Sequence, residues 1–208
     1  MSSIPGFTNT PSLGFTPSTS ESPKTQAIIK TLNLQPHLEG GYFVETDRDF
    51  RTVPNPFPDS AQDSPTRSAS TTIYYLLTAK SPVGHFHRNK GRTVHTLHKG
   101  RGWYVIIHAD EVKQQGQKPR IEAFRVGQDV EGGEKLQWIV EGGKYKATFV
   151  VPEESGVTGD EMLLISETVV PGFDFADHNF MKTETLHELV TPEQVKELAW
   201  LLLENKKD

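Results

Sequence analysis

The chain has 208 residues, a formal charge of −5 and no cysteine. That length builds one domain with a real core, and the lack of cysteine excludes disulfides, thiolate nucleophiles and thiolate metal sites. No basic block suits nucleic acid, no apolar run approaches a membrane span, and the start M-S-S-I-P-G-F lacks the parts of a secretory signal. A cytoplasmic protein without nucleic-acid or membrane partners is expected.

Residues Met1–Glu21 are rich in Ser, Thr, Pro and Gly without hydrophobic period, and read as a flexible arm ahead of a single domain over residues 22–208. Phe7, Leu13 and Phe15 give that arm apolar groups that could dock in a groove. Ser22-Pro23 reads as an N-cap and first helical position. The helix should run to about Thr31, with Ala27, Ile28 and Leu32 on its buried side. Pro36–Phe43 reads as a turn entering a strand, with Gly40 and Gly41 allowing positive φ or close approach. Asp47–Arg67, with Pro54, Pro56, Pro58 and Pro65, reads as a long loop.

From Ser70 the pattern turns to strands. Ser70–Leu77, His85–Arg88, Thr93–His98, Trp103–Ala109, Arg120–Val126, Leu136–Val140, Lys146–Val151 and Met162–Val170 are short apolar or alternating runs punctuated by turn residues. This is the pattern of an antiparallel sandwich or barrel. Thr191-Pro-Glu-Gln194 carries a capping-box start. Val195, Leu198, Ala199 and Leu202 follow as a helical stripe, which Trp200, Leu201 and Leu203 widen.

The chemistry concentrates in Gly84–Gly102. His85 and His87 stand two apart, so a regular strand would aim both into one cavity, with Phe86 facing away. His95 on the next run comes within reach if the two runs pair. Three converging imidazoles make a metal or acid–base site.

This spacing resembles the first motif of the cupins, G-x5-H-x-H-x3,4-E-x6-G, but Gly91, Arg92 and Thr93 stand where the glutamate belongs. The second cupin motif supplies a further histidine, and the corresponding Glu141–Lys146 segment offers Lys146, a poor ligand. Further segments resemble a narrower single-domain cupin family of bacteria and fungi, a domain-of-unknown-function family. They are Pro36–Phe43 (P-H-x-E-G-G-Y-F), Ser70–Leu77, Phe86-His87-Arg88, His95 and Val169–Asp177, in order along the chain. The resemblance implies an all-β cupin double-stranded β-helix (jelly-roll barrel) with flanking N- and C-terminal helices, forming a homodimer. Some cupins of this general shape are sugar-nucleotide 3,5-epimerases, which work without metal through a His base and a Tyr acid.

The function expected is therefore a small-molecule enzyme of isomerase or epimerase type, working without a metal or other cofactor. His87 or His95 is the candidate base, and Tyr104 the acid, with Tyr42, Tyr74 and Tyr75 as alternatives. Lys146 or Arg92 would hold an anionic part of the ligand. Glu39, Asp174 or Asp177 would orient a histidine. His85, Tyr75, Trp138, Phe173 and Phe175 would complete the pocket. The alternatives are a non-catalytic cupin that binds a small metabolite, and a weakly metallated dioxygenase-like cupin with His85, His87 and His95 as ligands. His37, His98, His108, His178 and His187 are assigned no role.

Overall fold

The computed structural model describes residues 1–58, 64–114, 116–152 and 159–205. Helix α1 spans Pro23–Thr31, opened by the Ser22 hydroxyl, which accepts from the Thr25 N–H at 3.2 Å. Its inner side is Thr25, Ile28, Ile29 and Leu32, packed with Leu34, Leu76 and Met162. Ala27, expected on that side, is exposed. The i, i+3, i+4 spacing of the other four residues defines a face that excludes it.

The strands are β1 Gln35–Pro36, β2 Tyr42–Arg48, β3 Thr52–Pro54, β4 Thr66–Ser68, β5 Thr71–Thr78, β6 Val83–Arg88 and β7 Arg92–Gly100. They continue as β8 Gly102–Ile107, β9 Ile121–Val126, β10 Gln137–Val140, β11 Tyr145–Val150, β12 Met162–Val170 and β13 Asn179–Phe180. Part of the expected loop over Asp47–Arg67 is regular: β2 runs into it, and β3 pairs with β4. Positions 59–63 of that loop lie outside the described residues. Helices α2 (Thr183–Leu189) and α3 (Pro192–Leu198) follow, the latter opened by the Thr191–Gln194 capping box. The expected helical stripe continues as two single 3-10 turns, Ala199–Leu201 and Leu203–Asn205. Helix α2 gave no sequence signal because it is short and buries only Leu186.

A six-stranded sheet in the order β1-β2-β5-β12-β7-β10 faces a five-stranded sheet in the order β13-β6-β11-β8-β9. Strand alternation divides the apolar residues between two faces. Tyr75, Leu77, Tyr104, Ile106, Leu163 and Ile165 fill the space between the sheets. The outer face of the five-stranded sheet, through Phe86, Val105, Ala147 and Phe149, is covered by Leu186, Leu198 and Leu201 of the C-terminal segment. The architecture is thus the expected all-β jelly roll with helices at both ends. Among the described residues no helix is long and apolar enough to cross a membrane.

The N-terminal arm has no helix or strand, yet it is docked. Ile4 is only 1% exposed, and Phe7 lies 4.4 Å from the Trp103 ring and 6.2 Å from Phe149. The Ser3 backbone N–H and hydroxyl both donate to Glu197 Oε1, the N–H at 2.7 Å. Replacing Ile4 with alanine therefore removes a core side chain and should lower stability by about 2–5 kcal/mol. A urea denaturation midpoint equal to that of the wild type would show that the arm does not hold this position in solution.

Candidate functional site

The site depends on an irregularity in β6. Lys146 pairs with His87 and Thr148 with Gly84, so two steps along β11 match three along β6. The extra residue is a β-bulge, which breaks the two-residue alternation. His87 faces the space between the sheets, as Lys146 does. His85 does not: its Nδ1 lies 3.3 Å from the carbonyl oxygen of Leu201 in the C-terminal segment. The expectation that His85 and His87 share one cavity is corrected by this bulge. The run that carries His95 does not pair with β6: it is β7 in the opposite sheet, and His95 approaches from across the barrel.

His87 belongs to a cluster with Glu39 and His178. Glu39 lies in the turn between β1 and β2, where Gly40 has φ +104°. A Cβ on Gly40 would stand 2.0 Å from the Val83 carbonyl oxygen, so the turn seats only glycine there. The His85 N–H donates to the Glu39 carbonyl at 2.8 Å, tying the turn to the bulge. Nε2 of His87 lies 3.2 Å, and Nε2 of His178 2.9 Å, from the same Glu39 Oε1. The two rings stack at 5.2 Å. Nδ1 of His87 lies 2.8 Å from the carbonyl oxygen of His85.

Burial pushes the His87 imidazole down to about 4 against the pull of Glu39, and the charge of Lys146 adds to the lowering. Burial would raise the Glu39 carboxyl, but His87, the His178 hydrogen bond and His37 outweigh it and hold Glu39 down at about 2. Near neutral pH Glu39 is anionic and His87 uncharged, so their contact is not an ion pair.

The second cluster crosses the barrel. Lys146 Nζ on β11 donates to Glu167 Oε2 on β12 at 2.6 Å and to His95 Nε2 on β7 at 2.9 Å. All three side chains are buried. Burial lowers the His95 imidazole, the Lys146 charge lowers it further, and Glu167 opposes both. Burial alone would raise the Glu167 carboxyl, but Lys146 and His95 hold it well below the usual carboxylate range. The His95 ring stacks on Trp138 at 5.1 Å and meets Tyr104 edge-on at 5.3 Å. Tyr75 and Tyr104 are pushed well above the ordinary tyrosine value, first by burial and then by the carboxylates of Glu167 and Glu39. Both are therefore protonated donors. Among the described residues the Tyr75 hydroxyl, Thr148 Oγ1 and Trp138 Nε1 are buried without a hydrogen-bond partner.

The interior thus holds Glu39, Tyr75, His87, His95, Tyr104, Trp138 and Lys146 of the expected residues. The others lie elsewhere. Arg92 is exposed on a strand end, 3.5 Å from Glu141. Asp174 is exposed, and its side chain accepts from the Ala176 N–H in the role of a cap. Phe173 is half-buried at the rim, with its ring 5.2 Å from exposed Phe175 and 6.4 Å from His178. Asp177 is held by Arg67. Two central residues went unassigned in the sequence. Glu167 carries a usable signal, since it continues the inward alternation of Leu163 and Ile165. His178 sits next to the Val169–Asp177 motif, but its approach to Glu39 is a contact that no local pattern encodes.

The metal set of the cupin motif does not fit this chain. His85 is turned away, the motif glutamate is absent, and the last ligand position holds Lys146 bonded to a carboxylate. A different set does fit. Ligand atoms of Glu39, His87 and His178 all lie within 4.8 Å of one another.

Two facing antiparallel sheets with histidines between them define a cupin. The chain belongs to that superfamily, matching the family described as Cupin superfamily (DUF985) over residues 26–181. It is 46% identical over 181 residues to Uncharacterized protein YML079W of Saccharomyces cerevisiae, covering 85% of each chain. It is similar to the solved structure of a hypothetical protein from Leishmania major, with 30% identity, a TM-score of 0.68, and coverage of 85% of this chain and 97% of that one. Protein SO0799 from Shewanella oneidensis gives 26% identity, a TM-score of 0.61, and coverage of 83% and 95%.

The ion pair across the barrel yields a stability prediction. Lys146→Met strands the Glu167 charge in the interior and should cost about 3–5 kcal/mol. The double variant Lys146→Met, Glu167→Leu removes both charges and should recover most of that loss in urea denaturation. A single variant as stable as the wild type would show that the pair is not buried as described.

Proposed function

We propose that this cupin is a small-molecule enzyme of isomerase or epimerase type, moving a proton to and from a carbon beside a carbonyl. The observation that carries the reading is the meeting of His87 Nε2 and His178 Nε2 on one oxygen of Glu39. A backbone carbonyl only accepts, so the contact between His87 Nδ1 and His85 places the ring proton on Nδ1. Nε2 then presents a lone pair toward an anionic carboxylate. Two acceptors facing one another can share an incoming proton, and the Glu39 carboxylate opposes the lowering that burial imposes on the His87 imidazole.

The surrounding groups suit the same reaction. The Tyr75 hydroxyl, protonated and without a hydrogen-bond partner among the described residues, can donate to a substrate oxygen. Lys146 places a positive charge inside the barrel, where a developing enolate would be stabilised most strongly. His95 is a poorer base than His87, because its Nε2 already accepts from Lys146. Its part is to position that lysine, with Glu167. Tyr104 packs between His95, Trp138 and Phe124 and supports the wall.

The test is solvent exchange. Purified protein, treated with chelator, is incubated in D2O with a panel of aldoses, ketoses, and 2-oxo and 3-oxo acids, and the C–H signals are followed by NMR. Exchange into one compound class is expected, and Glu39→Gln and His87→Gln should each slow it by about 10²–10⁴-fold. A panel member that binds in the barrel without exchanging would make the protein a binding module instead. Exchange unaffected by either substitution would remove the cluster from the chemistry.

A further inference from the structure

We propose that Glu39, His87 and His178 bind a divalent first-row transition ion, zinc being the type. The set lies apart from the strand ligands of the cupin motif, of which it keeps His87 alone. Its three donors come from distant parts of the chain: the turn between β1 and β2, the inner face of β6 beyond the bulge, and the residue preceding β13.

The distances suit a small ion. Zinc bonds to imidazole nitrogen and carboxylate oxygen at about 2.0–2.2 Å in tetrahedral geometry, which separates neighbouring ligand atoms by about 3.3 Å. The separations of His87 Nε2 and His178 Nε2 from Glu39 Oε1, 3.2 Å and 2.9 Å, need shifts of only a few tenths of an ångström. The third pair of atoms lies within 4.8 Å and closes by ring rotation.

Outer contacts also match those of a metal site. A metal-bound imidazole usually donates its other N–H to a carbonyl or carboxylate, which fixes the tautomer and aims the lone pair. His87 does this through Nδ1 and the His85 carbonyl at 2.8 Å. Glu39 is steadied by His37, whose Nδ1 accepts the Glu39 N–H at 3.2 Å and lies 3.7 Å from Oε2. Lys146, the cation on the neighbouring strand, is matched by Glu167 at 2.6 Å. Two nitrogens and one oxygen suit zinc, cobalt or nickel better than magnesium or calcium, which prefer all-oxygen sets.

An ion held there supplies Lewis-acid charge but occupies the lone pairs that proton transfer requires. Zinc should therefore suppress the exchange proposed above. That half of the inference rests on the proton-transfer reading, whereas binding itself does not.

Zinc binding to the chelator-treated protein is measured by titration calorimetry, and cobalt(II) binding by its visible absorption. One ion per chain and a cobalt spectrum of tetrahedral type are expected. Affinity should fall more than about 100-fold in His178→Gln and in Glu39→Gln, and stay within a few-fold in His85→Gln. Urea denaturation of each variant without metal separates loss of a ligand from loss of the fold, and the cobalt spectrum of the wild type needs no variant. No binding, binding that survives His178→Gln in a folded protein, or binding lost in folded His85→Gln would overturn the site. Zinc-loaded protein that exchanges as fast as the metal-free form would overturn the competition. Binding without exchange in either form would leave the ion site standing and sink the proton-transfer reading.

Discussion

The ion pair between Lys146 and Glu167 sets the electrical character of the barrel interior. Removing two charges from water costs several kcal/mol each even in a relaxed protein, and only close geometry and further hydrogen bonds offset it. Here the pair is 2.6 Å long, and a second Lys146 N–H is taken by His95. These bonds join β11 of one sheet to β12 and β7 of the other, so the charges also fix how the sheets face. The lysine field reaches both interior histidines, adding to burial in keeping His87 and His95 neutral. It also fills the position from which the cupin motif would donate its last histidine. An apolar pair of similar volume would hold the sheets together at lower cost. The charges are therefore not the least costly way to join the two sheets.

How much of this was legible in the sequence depends on the range of the interaction concerned. Helix α1 begins at the Ser22 cap and ends at Thr31 as read, and strand β12 has the expected bounds, because caps and alternation are local signals. The resemblance of Glu141–Lys146 to the second cupin motif puts Lys146 at a ligand position without fixing which way it points, and the structure turns it inward to Glu167 and His95. The pairing of His85 with His87 failed because alternation assumes a regular strand. The bulge between Gly84 and His87 is set by the register against β11, which sequence spacing does not reveal. Ala27 is apolar but lies off the face that α1 turns to Leu76 and Met162, a distinction that apolar character alone does not make. The arm has the composition of a flexible segment, yet Ile4 and Phe7 find an apolar surface on the five-stranded sheet.

The turn at Glu39-Gly40-Gly41 shows why so short a motif as Pro36–Phe43 matters to the site. Its two glycines have positive φ and lie against the carbonyls of Val83 and Leu76, so the turn is pressed onto β5 and β6 with no room for side chains. That close seating carries the Glu39 carboxylate inward to His87 and His178. On the other side of the same turn lies an open cleft of about 670 Å³, walled by His37, Gly40, Tyr42, Lys80, His85 and Trp200. His85 is therefore not lost from the site. Its carbonyl orients His87 inside the barrel, its N–H holds the Glu39 carbonyl, and its ring forms the cleft wall. One residue of the bulge thus joins the interior cluster to the solvent-facing cleft. A change in the cleft that moved the His85 backbone would alter the aim of the His87 lone pair without a substitution in either interior cluster.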